Sequence, residues 1–416
     1  MNATPSGPLP TTTPESVVVV GAGLAATQTV AALRESGFAG RVVVLGAEGV
    51  PPYDRPPLSK HLLDRVQPAW LADEVGTDIT ALADEVHLTQ PAHGMLVEAD
   101  RVHVRTADGD VTADVVVVAT GAHATLPATW SGARTLHTAA DAEHLRGSLR
   151  PGDRLVVVGA GWIGAEVAGV AAHAGVRVTV VEAARAPLAT ALGPRVGALT
   201  APWYDEHDVR LLTGRQVAEV TPTGVRLVDG TALPADVVLA AVGARPATAW
   251  LGGAVPREAD GALRVDEGFA VLGAPRHVRA VGDVTLRRSR RHGWVPGGHW
   301  DGALRDPAEL VADLLSPGAT AARTDRAPYV FSTQLGRELT LFGQPRPDCD
   351  VVLRGEPGSG EGWTALWYRR GTDTLDAVLT VDRPRDVGAA RRLFTAPDLP
   401  VLPRAHAADP AKPLRP

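Results

Sequence analysis

The sequence predicts an α/β protein: two doubly wound nucleotide-binding units, followed by a smaller C-terminal α+β domain. Three observations predict it. A glycine-rich loop occurs twice, as Gly21-Ala22-Gly23-Leu24-Ala25-Ala26 and as Gly159-Ala160-Gly161-Trp162-Ile163-Gly164. Each loop follows a run of valines, Val17 to Val20 or Val156 to Val158, and opens an alanine-rich, helix-forming stretch. Beyond about residue 326 the apolar pattern turns to alternation, as in antiparallel strands.

The elements follow in order. The first strand, Val17 to Val20, is continuously apolar, as a parallel strand covered on both faces must be. A helix from Leu24 to about Arg34 stops near Gly37. The strand Arg41 to Leu45 leads to Glu48, and Val115 to Val118 runs into Ala119-Thr120-Gly121. The plan then repeats: strand Leu155 to Val158, helix Gly164 to about His173, strand Arg177 to Val181 closed by Glu182, and strand Val237 to Ala241 followed by Val242-Gly243. The segment Val278 to Val284 reads as a strand whose Gly282-Asp283 aims a carboxylate at a ribose or ribitol hydroxyl. Tyr329 to Phe342, Trp363 to Arg369 and Thr374 to Val381 read as antiparallel strands, and Asp386 to Phe394 as a helix. The expected division is a disordered tail at 1–15, one nucleotide-binding domain from 16–122 and 247–325, a second at 123–246, an interface domain at 326–402 and a second loose tail at 403–416.

Composition bounds the function. The apolar fraction is 45%, the charged fraction 21% and the net charge −6, which argues against nucleic acid or an anionic membrane as partner. No run of about 18 apolar residues is present, so no transmembrane helix is expected. Cys349 is the only cysteine, so a CxxC redox pair, a disulfide framework and a cysteine-ligated metal are all excluded. A cytoplasmic monomer or homodimer is expected. The thirteen histidines form no HxxxH or HExxH pattern, and no metal site is expected.

In the first loop Gly21 permits the strand-to-helix turn, Gly23 lets the backbone approach a pyrophosphate, and Ala26 takes the third small-residue position. Glu48 would accept from an adenosine ribose. In the second loop Gly159, Gly161 and Gly164 play these parts. Glu182 follows at close to the usual spacing of about 20 residues, where a carboxylate pairs with the ribose hydroxyls and repels a 2′-phosphate. NADH is therefore expected over NADPH, with the nearby Arg185 the one cation that could serve a phosphate. Prolines stiffen Pro52-Tyr53-Asp54-Arg55-Pro56-Pro57-Leu58-Ser59-Lys60, so Arg55 and Lys60 can be held at fixed positions; by composition alone a surface loop suits it better. Only Lys60 and Lys412 are lysines. Glu166 has two readings: interaction with the helix dipole, or an ion pair to Lys60 across the two nucleotide domains. The run Arg287-Arg288-Ser289-Arg290-Arg291-His292 is either a solvated loop or a docking patch for an acidic electron acceptor. Acidic neighbours disfavour the Cys349 thiolate, so the residue reads as inert.

Together these motifs resemble the FAD-dependent, NADH-utilising ferredoxin reductases, relatives of putidaredoxin reductase, rubredoxin reductase and apoptosis-inducing factor. The Pro52 to Lys60 segment carries most of the resemblance. Gly159 to Glu166 is similar to the family's NAD motif, Val281-Gly282-Asp283-Val284 to its second FAD motif, and His299-Trp300 and Tyr329 to Gln334 to segments that line the flavin. The resemblance implies two Rossmann-like domains in a glutathione-reductase-like arrangement, with FAD and NADH as cofactors and a C-terminal domain over the flavin. It implies that FAD contacts Gly21, Gly23, Leu24, Ala25, Ala26, Glu48, Arg55, Lys60, Ala119, Thr120, Gly121, Asp283, Trp300 and Phe331. NAD would contact Gly159, Gly161, Trp162, Ile163, Gly164, Glu166, Glu182, Val242 and Gly243, with Lys60 and Glu166 at the hydride-transfer site. Electrons would leave to a [2Fe–2S] ferredoxin that supplies a monooxygenase or dioxygenase, docking at Arg287, Arg288, Arg290 and Arg291. Two departures stand out: His123 follows Ala-Thr-Gly-Ala where relatives carry a nearby arginine, and Pro307 is expected to interrupt the helix after Trp300.

Other readings use the same loops. A disulfide reductase needs the CxxC that is missing. An NADH oxidase of the peroxidase type needs a cysteine in the first domain, and Pro51 to Lys60 contains none. A redox-sensing interaction protein would turn over slowly with every acceptor.

Overall fold

The computed structural model describes residues 14–221, 223–317 and 325–415. The disordered tail expected at 1–15 lies outside them except for residues 14 and 15. The chain forms two compact units: one comprises the chain through Asp54, Ala69–His123 and Arg245–Pro328, the other Arg55–Pro68, Ala124–Ala244 and Tyr329–Pro416.

In the first unit five parallel strands lie in the order Val278–Ala280, Val115–Val118, Ser16–Val20, Arg41–Leu45 and Glu85–His87. Val17 to Val20 pair with Val42 to Leu45 on one side and with Val115 to Val118 on the other. These valines are at most 3% exposed, and each contributes about 1.5–3 kcal/mol by leaving water. The buried side of helix Leu24–Glu35 packs against helix Trp300–Leu315. That second helix corrects one expectation. Pro307 lies inside it, buried, and does not end it. Proline removes one backbone hydrogen bond, but Leu310, Val311 and Leu314 on the same helix are buried in the core, and their burial outweighs that loss. The segment Val278 to Val284 is shorter as a strand than expected. It turns at Gly282, whose φ is +78°, into a short 3₁₀ turn at Gly282–Val284.

The second unit repeats the design with four parallel strands, ordered Arg210–Thr213, Arg177–Glu182, Arg154–Val158 and Val237–Ala240. Helix Trp162–His173 follows its glycine loop. The C-terminal segment adds five antiparallel strands, ordered Tyr329–Gln334, Arg337–Gly343, Leu375–Val381, Trp363–Tyr368 and Asp350–Arg354, with helix Pro384–Leu393. Its Leu335, Leu339, Trp363 and Leu379 share one core with Val157 of the nucleotide-binding sheet and with Ala165 and Ala168 of helix Trp162–His173.

The chain end also departs from expectation. In place of a loose tail, Arg404–Ala408 is helical, and Leu402, Ala407 and Leu414 are buried. The buried Arg354 explains this: its guanidinium donates to the carbonyls of Ala407 at 3.3 Å and Lys412 at 2.6 Å, and to Asp386 at 3.0 Å. A run of prolines and alanines looks featureless in sequence until a distant arginine gathers its carbonyls.

Candidate functional site

Each unit presents a phosphate cradle built by the same device. In the first, the chain leaves its central strand through Gly21 at φ +118°. A Cβ there would lie 2.2 Å from the Ala119 carbonyl oxygen, so only glycine fits. Gly23 shows the opposite condition: nothing lies within 4 Å of where its Cβ would be. Helix Leu24–Glu35 starts over that open space with no side-chain cap and no acid in its first turn. Its amino-terminal N–H groups and dipole suit an anion. In the second unit Gly159 has φ +106° and a Cβ would lie 2.4 Å from the Ala241 carbonyl, while Gly161 faces open space. Helix Trp162–His173 is likewise uncapped and has no acid in its first turn. Both loops therefore fit the pyrophosphate of a dinucleotide.

The third position differs between them. A Cβ on Gly164 would lie 2.1 Å from the Gly159 carbonyl, whereas Ala26 sits fully buried in the first loop. The acids also differ. Glu182 is anchored from both sides, accepting from the Ala160 and Ala184 N–H groups at 2.7 Å each. A carboxylate has about four acceptor sites, so two remain for a ribose diol. Glu48 is exposed and accepts from the Tyr53 hydroxyl at 2.5 Å.

The remaining expected contacts fall as follows. Around the first cradle Leu24 is half-buried and Ala25 buried, the Thr120 hydroxyl donates to the Ala247 carbonyl at 2.8 Å, and Gly121 has φ +66°. The carboxylate of Asp283 accepts from the Gly298 N–H at 3.0 Å. The Trp300 indole donates to Asp54 at 2.6 Å. At the second cradle Trp162 is half-buried, and Ile163 and Val242 are 42% and 38% exposed, high for apolar side chains. Gly243 has φ +104° and Arg185 is exposed. Arg55, Lys60 and Phe331 belong to the second unit. Arg55 donates to the His137 carbonyl at 2.5 Å.

Lys60 and Glu166 form an ion pair. It lies within the second unit and does not join two domains as expected, because Arg55–Pro68 belongs to the same unit as helix Trp162–His173, which carries Glu166. Glu166 is 5% exposed and stands past the first turn of its helix, so the dipole reading is set aside. Three donors converge on its carboxylate: Lys60, the Ser59 hydroxyl at 2.5 Å and the Ser332 hydroxyl at 2.5 Å. The buried Gln334 amide in turn donates to Ser332 at 3.0 Å. The Lys60 ammonium also lies 5.3 Å from the Phe331 ring centroid. Ser59, Ser332 and Gln334 were missed as site residues. Period-two alternation in Tyr329 to Gln334 places Ser332 and Gln334 on one face, and the resemblance of that segment to flavin-lining segments is the other signal for them.

The basic run is largely internal. Arg287 pairs with Asp325 at 3.2 Å and Asp306 at 3.7 Å, and its side chain is only 12% exposed. Arg291 is buried against Asp325, and Ser289 and His292 are buried. Arg288 and Arg290 face solvent, the former 3.7 Å from Glu267. Of the four arginines expected to dock a partner, only Arg288 and Arg290 face solvent: strand Thr285–Ser289 turns Arg287 inward, and Asp325 holds Arg291 beyond its end. Cys349 is half-buried, donates to Asp376 at 3.4 Å and has its thiol pushed up to about 11 by burial and that carboxylate. Among the described residues no helix is long and apolar enough to cross a membrane.

Comparison with known proteins agrees with this geometry. Residues 15–302 match the pyridine nucleotide-disulphide oxidoreductase family, and residues 329–416 match the reductase C-terminal domain. The ferredoxin–NAD(+) reductase component of the anthranilate 1,2-dioxygenase system of Burkholderia cepacia is 33% identical over 92% of this chain and 95% of its own. The crystal structure of Fdr9 superposes with a TM-score of 0.86 at 38% identity, over 97% of this chain and 100% of its own. The reductase of the covalent putidaredoxin reductase–putidaredoxin complex gives 0.83 at 27% identity, over 92% and 94%. The chain belongs to the pyridine nucleotide-disulphide oxidoreductase family, among its ferredoxin reductases, with two Rossmann-like domains and a C-terminal reductase domain.

Proposed function

We propose that this protein is an NADH-dependent flavoprotein reductase that passes electrons from NADH through FAD to a [2Fe–2S] ferredoxin serving a monooxygenase or dioxygenase. The observation that carries the reading is a chain with two complete phosphate cradles and no dithiol, its one thiol suppressed. The first cradle holds FAD and the second NADH; when bound, the flavin accepts the two electrons of a hydride and releases them singly. Gly21, Gly23 and the start of helix Leu24–Glu35 hold the FAD pyrophosphate, with Asp283 and Glu48 toward its hydroxyls. Gly159, Gly161 and helix Trp162–His173 hold the NADH pyrophosphate. Glu182 holds the ribose diol and disfavours a 2′-phosphate. Trp162, Ile163 and Val242 cover the nucleotide with apolar surface.

Lys60 and Glu166 are the hydride-transfer residues in this reading, and Arg288 and Arg290 are rim contacts for the acidic ferredoxin. Rim charges act mainly on association rate and fade with salt. Lys60→Met and Glu166→Gln should each slow anaerobic flavin reduction by NADH, by about 10²-fold. Stopped-flow bleaching of the flavin measures it. Wild-type rates in both variants would reduce the pair to a structural salt bridge.

A further inference from the structure

We propose that Ser332, oriented by Gln334, is a positioning residue for hydride transfer. It acts through Glu166 on Lys60, and the role rests on the reading of that pair as the hydride-transfer site. The chain of donors runs one way. The Gln334 amide nitrogen, a donor only, donates to the Ser332 oxygen at 3.0 Å. That leaves the Ser332 proton free to point at Glu166 Oε1, 2.5 Å away. The Lys60 ammonium takes the same carboxylate oxygen, and Ser59 takes Oε2. Glu166, Ser332 and Gln334 are at most 5% exposed, so the carboxylate is largely screened from solvent. Both oxygens are held, and the carboxylate plane cannot rotate without breaking a charge-assisted hydrogen bond.

The backbone secures the donors. Ser332 and Gln334 lie on strand Tyr329–Gln334, joined to Arg337–Gly343 by the two-residue turn Leu335-Gly336. Both turn residues have positive φ, +46° and +70°. A leucine is costly there. Leu335 is nevertheless 2% exposed and seats its backbone against Gly169, where a Cβ would lie 3.0 Å from the Leu335 nitrogen. Gly169 and Glu166 share helix Trp162–His173, so the hairpin tip and the serine grip one helix at two points. The C-terminal domain thereby fixes the carboxylate that orients Lys60.

The chain's own composition supplies the test. Lys60 and Lys412 are its only lysines, and Lys412 is exposed. In the full-length, FAD-loaded protein, pulse acetylation with mass spectrometry therefore reads Lys60 against an internal standard. Ser332→Ala should raise Lys60 labelling relative to Lys412 about tenfold. It should also lower the limiting rate of flavin reduction about tenfold, with the NADH dissociation constant unchanged. Gln334→Met should move both in the same direction by less, and Ser332→Thr, which keeps the hydroxyl, should restore both. Labelling and rate within about twofold of wild type in Ser332→Ala would overturn the proposal. So would a lowered melting temperature with unchanged labelling, which makes Ser332 a packing residue. If Ser332→Ala alters labelling while Lys60→Met and Glu166→Gln leave flavin reduction untouched, the hydride-transfer reading has failed and the positioning role falls with it.

Discussion

Glu166 behaves as a buried charge whose every neighbour matters. Removing one partner of such a pair leaves the other charge uncompensated, at a cost of about 3–5 kcal/mol. Alanine at either position would add a cavity to that cost, so the near-isosteric changes Lys60→Met and Glu166→Gln, which keep the packing and remove only the charge, are the cleaner probes. Gly164 makes a sharper single-residue case. Its Cβ would overlap the Gly159 carbonyl, while the matching position in the first loop already accommodates Ala26. Gly164→Ala should therefore weaken NADH binding more than tenfold and lower the melting temperature, while FAD stays bound. Equilibrium titration with NADH and the flavin spectrum read the two effects separately. Unchanged NADH affinity would mean that the second loop relaxes far more easily than its geometry implies. The glycines themselves were legible in sequence because their constraint is local. Ser332 and Gln334 were not, because their role depends on a partner more than 160 residues away.

At the scale of elements, helix Trp300–Leu315 shows where local rules yield. Pro307 reads as a breaker, but the apolar face beyond it is buried in the first unit's core. The adjacent Asp306 has its carboxyl pushed up to about 6, chiefly by burial, although Arg287 and Arg326 act in the opposite direction and Asp301 and Glu309 add to the rise. A carboxyl that is harder to ionise when folded binds its proton more tightly in the native state. Its contribution to stability is therefore present at low pH and is lost as pH rises from about 4 through about 6. Asp306→Asn should flatten the fall in melting temperature over that range. A steeper fall in the variant would contradict the sign. The basic run belongs to the same lesson. Six consecutive polar residues look uniformly solvated, yet strand geometry sends Arg287 and Ser289 inward, and Asp325 meets Arg287 and, beyond the strand, Arg291. The C-terminal segment was misread for a related reason, since Arg354 supplies its order from another strand.

At the scale of the whole molecule, the fold was largely legible. Parallel strands buried on both faces must be continuously apolar, and two such sets with glycine loops define two nucleotide-binding domains. The domain membership of Arg55–Pro68 was not legible, because nothing in those residues states which strands they pack beside. In the proposed reading, cofactor choice rests on one side chain, Glu182. Glu182 is fixed by two backbone N–H groups, so it cannot easily turn away from a 2′-phosphate. The ratio of kcat/KM for NADH over NADPH should exceed about tenfold, and a ratio below one would assign the exposed Arg185 the dominant role. The direction of electron flow follows from the missing dithiol: with only a suppressed thiol in the chain, the flavin's electrons have no internal disulfide to reach. The most direct measurement is NADH-driven reduction of a panel of [2Fe–2S] ferredoxins, compared in the same assay with oxygen as acceptor. Reduction of at least one ferredoxin much faster than oxygen is predicted. Turnover with oxygen that exceeds every ferredoxin, or slow turnover with all acceptors alike, would contradict the assignment as a ferredoxin reductase.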